Sequence, residues 1–159
     1  ASDHPTLKYV IVGHSDKDRY SQSLKAQVSD LQLEDRVVFF NSISDSELRS
    51  LYSFAEFFVV TPITEPNAFE GFGMVYLEAA MCGLTSVGSI NSGAVEAIID
   101  GQTGILVEPV SDKVALAMDN LLKNPELKKV LATRATSRSG DFVWENISNK
   151  LLIYLNLLK

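Results

Sequence analysis

Short apolar runs alternate with amphipathic segments along most of the chain, and this alternation constrains the fold more than any other feature. The runs occupy residues 8–12, 37–40, 57–60, 85–87 and 104–107. Their near-continuous apolar character is typical of parallel strands that are buried on both faces. Because helices are predicted between them, we expect an α/β fold: a Rossmann-like, doubly wound, mainly parallel sheet with helices on both faces and further C-terminal helices.

The helices are predicted from apolar spacing and from capping residues. They occupy residues 18–31, 44–52, 74–82, 94–99, 114–123, 126–138 and 144–158. Ser44-Asp-Ser-Glu47 is typical of a capping box, and Gly83 is typical of a C-terminal cap. The last two helices are expected to form an outer layer.

Composition limits the classes of function. The chain has 159 residues, of which 46% are hydrophobic, so we expect a single domain over residues 1–159. The net charge is −6 without a long basic run, which argues against a nucleic-acid partner. No apolar stretch is long enough for a transmembrane segment. Cys82 is the only cysteine, which excludes an internal disulfide, fits a cytoplasmic location and indicates a packing role.

Residues 62–83 combine a strand exit, a loop and a glycine-flanked helix start. The apolar run at 57–60 is broken by prolines and polar residues, and Gly71 and Gly73 then precede good helix formers from Met74 onward. A helix start leaves backbone N–H groups without intrahelical acceptors and carries the positive end of the helix dipole. The stretch therefore predicts a site for an anionic ligand that closely approaches the backbone. Other loops that follow predicted strands, and are expected at the same rim, lie at 13, 41–44 and 90–93.

Two glutamates bracket this helix start. Glu70 is either a solvated loop carboxylate or a ligand contact. Glu78 shares helical offsets of three and four with Met74, Met81 and Cys82, so it is expected on an apolar, buried face. Because an unpaired buried carboxylate costs several kcal/mol, we expect a partner for Glu78, either a backbone N–H group or a ligand hydroxyl.

The sequence from Glu70 to Gly83 resembles the E-x7-E signature of retaining glycosyltransferases with the two-domain GT-B architecture, in particular those of family 4. The matching segments are Glu70-Gly-Phe-Gly, Glu78-Ala-Ala-Met-Cys-Gly83 and, further on, Asp100-Gly-Gln-Thr-Gly-Ile-Leu-Val107. The strand that ends at Gly13 also resembles a family element, so the resemblance covers nearly the whole chain. It implies half of a GT-B fold, a partial C-terminal donor-binding domain.

The resemblance also implies a function and a set of site residues. The function is transfer of a hexosyl group from a nucleotide-diphosphate sugar to an acceptor hydroxyl, without a metal or a further cofactor. The implied donor-binding residues are Gly13, Ser42, Ile43, Glu70, Gly71, Phe72, Gly73, Met74, Val75 and Glu78. Glu70, the implied catalytic residue, would contact the donor sugar, and Glu78 would contact the ribose hydroxyls. The helix start would hold the diphosphate, with Ser42 and Ile43 near the base and Gly13 near the phosphates.

Departures from the family pattern shape further expectations. The strand and the basic pair that normally precede the strand at Tyr9 have no counterpart in this chain, and neither has the N-terminal acceptor domain. We therefore expect an excised fragment or a separate subunit that is inactive alone, located in the cytoplasm and meeting a membrane only through the missing domain. Thr85 replaces the usual proline, which is expected to loosen the next strand, and residues 65–69 lengthen the approach to Glu70.

Other functions fit the residues less well. A dinucleotide enzyme would carry G-x-G-x-x-G after a strand, whereas His14-Ser-Asp-Lys follows Gly13. A glycoside hydrolase also uses paired carboxylates, but Glu78 lies more than one turn beyond the helix start and should point to a different part of the ligand from Glu70. His4 and His14 form no ligand cluster, so no metal is expected. A non-catalytic nucleotide-sugar-binding or interaction module is the alternative to a transferase.

Overall fold

The computed structural model describes residues 4–13, 18–63 and 71–157. The chain divides into two compact units, Ala1–Leu48 and Arg49–Lys159. Each unit has its own parallel sheet, with two strands in the first and three in the second.

The first unit is a β-α-β element. Strand β1 (Tyr9–Val12) pairs in parallel with β2 (Val37–Phe40), and α1 (Arg19–Asp30) connects them. Asp18 caps α1, because its Oδ1 accepts a 2.7 Å hydrogen bond from the amide of Ser21. The two strands are paired over their whole length, so the residues that follow them share one edge of this sheet.

Helix α2 (Asp45–Phe54) begins at the predicted capping box, which the structure confirms. The amide of Glu47 donates to Ser44 Oγ at 3.3 Å, and the amide of Ser44 donates to a carboxylate oxygen of Glu47 at 2.7 Å. Two donors at the helix start are thereby satisfied reciprocally. The hydrogen bonds from the side chain and the backbone of Ser44 hold the pKa of Glu47 below its ordinary value.

The second unit contains a three-stranded parallel sheet and most of the helices. Its strands, in sheet order, are β3 (Phe58–Val59), β4 (Ser86–Ser89) and β5 (Gly104–Val107). Its further helices are α3 (Met74–Met81), α4 (Ala94–Ala97), α5 (Ser111–Lys123), α6 (Pro125–Ser139) and α7 (Trp144–Leu157), with a 3-10 turn at Gly140–Phe142. All five predicted strands are therefore present, hydrogen-bonded as two parallel sheets rather than as one.

Side chains of the three-stranded sheet alternate between two helical layers. Phe58 and Leu106 pack against the layer of α3 and α4, whereas Val59 and Ile105 pack against the layer of α5 and α6. The buried residues of the first cluster are Tyr76, Leu77, Ala94, Ala97 and Ile98, and those of the second are Val87, Ala117, Leu121 and Leu131. Successive strand residues point to opposite faces, as the pleat requires. The predicted sheet with helices on both faces is confirmed.

Thr85 connects strands instead of loosening β4. It is fully buried, and its hydroxyl donates a 3.3 Å hydrogen bond to the carbonyl oxygen of Thr103, just before β5. Its own carbonyl accepts a 3.0 Å hydrogen bond from the amide of Phe58 on β3. A threonine at this position therefore supplies a cross-strand link that proline would lack.

The two C-terminal helices differ in how they pack. Helix α6 lies against the sheet layer, with Leu131 only 1% exposed, and the hydroxyl of Thr136 donates at 2.7 Å to the carbonyl of Ala80 on α3. Along α7 the described side chains are exposed, and Trp144 reaches 85%. No helix within the described ranges is both long and apolar enough to cross a membrane.

Candidate functional site

The start of α3 is built around Gly73. Its backbone is left-handed, with a φ of 72°, and a Cβ at this position would lie 2.6 Å from ring atoms of Tyr76. Because Tyr76 is only 2% exposed, its ring has no open space to move into. Glycine is therefore required here both by the backbone conformation and by the close approach.

Tyr76 fixes this helix start to the sheet. Its hydroxyl donates a 2.7 Å hydrogen bond to the carbonyl oxygen of Val60, the residue that follows β3. Its ring packs edge-on against Phe58, with the ring centroids 5.7 Å apart. The first turn of α3 therefore lies at the carboxyl end of β3, the edge where open α/β sheets bind their ligands.

Backbone donors are available at this start. The amide of Tyr76 donates to the carbonyl of Gly73 at 3.0 Å, so the amides before it, those of Met74 and Val75, have no acceptor within the helix. No side chain of the described residues caps the helix. Gly71 is exposed, and no atom of the described residues lies within 4 Å of the position that a Cβ would take. The arrangement can receive an anion, with a modest favourable contribution from the helix dipole.

The start of α4 lies beside the start of α3. A Cβ built on Gly73 would be 3.7 Å from the Cα of Ala94, the first residue of α4. Ser92 closes the preceding loop, since its Oγ accepts from the amide of Ala94 at 3.2 Å and donates to the carbonyl of Ser89 at 2.9 Å. Segments that follow β3 and β4 thus come together at one edge of this sheet.

Glu78 does not lie on a buried face, and that prediction was wrong. The buried residues of α3 are Tyr76, Leu77, Ala79 and Ala80. Glu78 is exposed on the helix that also exposes Met74 by 66% and Met81 by 52%. The contact surface of α3 therefore combines Tyr76 and Leu77 with two short alanine side chains, which let the helix approach its neighbours closely. The cost of burying a carboxylate therefore no longer argues for a partner, but a ligand can reach Glu78.

Tyr52 on α2 is a titratable neighbour of Glu78 that was not predicted from the sequence. Burial, and after it the nearby Glu78 carboxylate and Cys82, raise the pKa of Tyr52 to about 12. The residue is 8% exposed, and its ring packs edge-on against Phe58 at 5.8 Å between centroids. The phenol therefore stays neutral at physiological pH and adds no charge beside Glu78.

The predicted residues of the first unit lie at the carboxyl edge of the two-stranded sheet. Gly13 follows β1 with a φ of 89°, and its amide donates to the carbonyl of Phe40 at 3.0 Å. A cavity of about 250 Å³ includes Gly13 in its lining. After β2, Ser42 is exposed and Ile43 is half-buried. Both segments are thus placed where a ligand could reach this edge.

Part of the predicted site lies outside the described residues. This applies to Glu70, the predicted catalytic residue, and to His14. In the ranges that the structure does describe, no group of three His, Cys, Asp or Glu side chains is placed to hold a metal ion.

An aromatic pair missed by the sequence reasoning supports the loop in front of α3. The ring of Phe72 lies against that of Phe142, with centroids 5.4 Å apart. The guanidinium carbon of Arg138 lies 5.1 Å from the Phe142 centroid. The sequence could have indicated the contact between Arg138 and Phe142, because residues four apart meet on a helical turn. It contains no comparable signal for the contact between Phe72 and Phe142.

An uncapped helix start at the carboxyl edge of a parallel sheet is the arrangement with which many α/β proteins bind phosphorylated ligands. Residues 1–138 match the family model described as Glycosyl transferases group 1. The chain belongs to this family of glycosyltransferases.

Two curated relatives show the extent of the match. The chain is 35% identical over 109 residues to a GDP-mannose-dependent alpha-(1-6)-phosphatidylinositol monomannoside mannosyltransferase of Mycolicibacterium smegmatis, with 67% of this chain and 28% of the relative covered. It is 31% identical over 158 residues to a D-inositol 3-phosphate glycosyltransferase of Acidothermus cellulolyticus, with 95% of this chain and 34% of the relative covered. The chain thus spans about a third of the length of these relatives.

Solved structures confirm the fold. Sucrose-phosphate synthase from Thermosynechococcus elongatus superposes with a TM-score of 0.81 and 29% identity, covering 99% of this chain and 40% of that one. The C-terminal domain of a glycosyl transferase group 1 family protein (LpcC) from Francisella tularensis superposes with a TM-score of 0.72 and 27% identity, covering 86% of this chain and 69% of that one. Anabaena Alr3699/HepE in complex with UDP-glucose shares the fold, with a TM-score of 0.74 and 24% identity, covering 96% of this chain and 41% of that one. The structural neighbours are GT-B glycosyltransferases, and the Rossmann-like fold class is confirmed.

Proposed function

We propose that this chain is the donor-binding part of a retaining glycosyltransferase that transfers a hexosyl group from a nucleotide-diphosphate sugar, such as a UDP- or GDP-sugar, to an acceptor hydroxyl. The proposal places it among GT-B enzymes of family 4, with Glu70 and Glu78 as the E-x7-E pair. The observation that carries it is the start of α3, where two amides without intrahelical acceptors follow a left-handed glycine at the carboxyl edge of a parallel sheet. Membership of a glycosyltransferase family makes the diphosphate of a sugar donor the anion that fits.

The diphosphate would bind at the start of α3. Met74 and Val75 supply amide donors, and Gly73 brings the backbone close because it has no side chain. The chain carries a net charge of −6, so the anion must be held by such local donors rather than by a general positive field. In the first unit, the backbone of Ser42 and Ile43 would contact the base.

The ends of the donor would meet different carboxylates. Glu78 is exposed one turn into α3 and can accept hydrogen bonds from both hydroxyls of a ribose. Glu70 would contact the sugar as the catalytic residue, and the exposed backbone at Gly71 and Phe72 leaves room for that sugar. No described residue lies within 4 Å of a Cβ position at Gly13, so the phosphates could approach the first unit there.

An N-terminal acceptor domain completes the proposed enzyme. Its support is that the chain spans about a third of its relatives' length and resembles a C-terminal domain solved as such. Transfer requires groups already aimed at the leaving diphosphate, which contribute several kcal/mol at the transition state. We therefore expect this chain alone, located in the cytoplasm, to bind a donor without turnover. Acceptor-dependent release of nucleoside diphosphate by the purified chain would contradict this.

A thermal-shift series with UDP, GDP and ADP tests nucleotide binding. A nucleotide present at a hundredfold excess over its Kd should stabilise the fold by roughly 2.7 kcal/mol. A shift with one of the nucleotides supports the donor site. If none of them shifts the transition, the chain is better described as an interaction module without a nucleotide site.

Calorimetry with two ligands separates the carboxylates. Glu78→Ala should weaken nucleoside diphosphate binding by about 1.5–3 kcal/mol, because a charge-assisted contact to the ribose is lost. Glu70→Ala should weaken binding of the intact donor and leave the nucleoside diphosphate nearly unaffected. Glu126→Ala is the control, because it also removes one exposed carboxylate but lies on α6, outside the proposed donor site. It should leave the affinities for both ligands unchanged. Equal losses for both ligands from both site variants would refute the assigned roles.

A further inference from the structure

Three side chains form a column from the end of α6 to the loop that precedes α3. The guanidinium of Arg138 lies over the ring of Phe142 at 5.1 Å, and that ring contacts Phe72 at 5.4 Å. Phe72 is 36% exposed, while Arg138 and Phe142 are half-buried. Phe72 stands between the two loop glycines, so its ring is the only side chain of the segment Gly71–Gly73 that can hold the loop in place.

Arg138 is also hydrogen-bonded to the end of α4. Its guanidinium donates to the carbonyl of Glu96 at 2.8 Å and to the carbonyl of Ala97 at 3.3 Å. A cation at this position suits the negative end of a helix dipole. The first residue of the same short helix, Ala94, lies beside Gly73. The guanidinium of Arg138 therefore contacts α4 directly. It also contacts Phe142, which in turn contacts Phe72 in the loop.

We infer that Arg138 is a positioning residue for the donor sugar: through Phe142 it holds the ring of Phe72, and with it the backbone of Gly71 and Gly73, in the geometry that receives the sugar. The inference rests on the proposed function, which assigns this loop to the sugar and the start of α3 to the diphosphate. Arg138 itself contacts neither. Its effect should consequently appear in binding of the intact donor and be nearly absent from binding of the nucleoside diphosphate.

The test compares, by calorimetry, the affinities of wild type and variants for the intact donor and for the nucleoside diphosphate. Arg138→Met keeps the length and the apolar stem but removes the charge and the donors. It should weaken affinity for the intact donor about three- to tenfold, the range for losing one partly exposed cation–π contact with its hydrogen bonds. Arg138→Lys keeps the charge without the planar fork and should lie between wild type and Arg138→Met. Arg134→Met is the matched control, since Arg134 is exposed one turn earlier on α6 and should leave both affinities unchanged.

A double-mutant cycle with Phe72→Leu separates positioning from general destabilisation. If Arg138 acts through the ring of Phe72, Arg138→Met should have no further effect on donor affinity in the Phe72→Leu background. Additive losses would overturn the inference, as would an Arg138→Met protein whose affinities for donor and nucleoside diphosphate fall equally. If the wild type binds nucleotide and Arg138→Met leaves the donor affinity unchanged, the inference is overturned and the proposed function stands. A wild type that binds neither ligand overturns the proposed function together with it.

Discussion

Replacing Gly73 by alanine should lower the free energy of unfolding by about 2–5 kcal/mol. A non-glycine residue in the left-handed region costs about 1–2 kcal/mol, and the backbone of Gly73 has a φ of 72°. The new methyl group would also lie 2.6 Å from the ring of Tyr76, which is 2% exposed and held by its hydrogen bond to Val60. Overpacking of this kind adds about 1–3 kcal/mol.

Gly71→Ala is the matched control, because it places the same methyl group two residues earlier in the same loop. Among the described residues, no atom lies within 4 Å of a Cβ at Gly71. The change should therefore be close to neutral, or stabilise by up to about 1 kcal/mol through the unfolded state. Urea denaturation followed by circular dichroism measures both variants against the wild type.

Gly73→Ala should lower the free energy of unfolding clearly more than Gly71→Ala does. If Gly73→Ala cost less than about 1 kcal/mol, or no more than Gly71→Ala, the left-handed conformation and the contact with Tyr76 would not constrain the start of α3. The anion site assigned to that start would then lose its rigid framework.

Three further predictions concern single side chains. Tyr76→Phe removes the donor to the carbonyl of Val60 and should lower the free energy of unfolding, measured by urea denaturation, by about 0.5–1.5 kcal/mol. Ser44→Ala removes the side-chain hydrogen bond to Glu47 and keeps the one from the backbone amide, so an NMR titration should show the pKa of Glu47 rising part of the way toward its ordinary value. The stabilisation from Glu47 is present above the unfolded pKa and is lost as pH falls through the lowered one. The pKa of Tyr52 is raised from 10.0 to about 12, so its contribution to stability is complete below pH 10 and is lost as pH rises toward 12. Tyr52→Phe should flatten that alkaline loss, and an unchanged pH profile would contradict the assignment.

Much of the fold could be predicted because its signals are local. The strands follow from short apolar runs, the reciprocal cap of Ser44 and Glu47 from residue types three apart, and the turn at Gly73 from a glycine before helix formers. Each of these depends on neighbours within a few residues along the chain. The residue order therefore determined where elements begin and end, and placed the open helix start after β3.

Only the tertiary structure decided which surfaces are covered. The spacing that groups Glu78 with Met74 and Met81 is a property of the helix. The exposure of Glu78 depends instead on where the sheet and α6 lie: the sheet packs against Tyr76 and Leu77, and α6 is hydrogen-bonded to the carbonyl of Ala80. The support of Phe72 by Arg138 joins residues far apart in the chain. Helical periodicity specifies which side chains share a face. The burial of that face depends on packing between distant segments, which no local pattern contains.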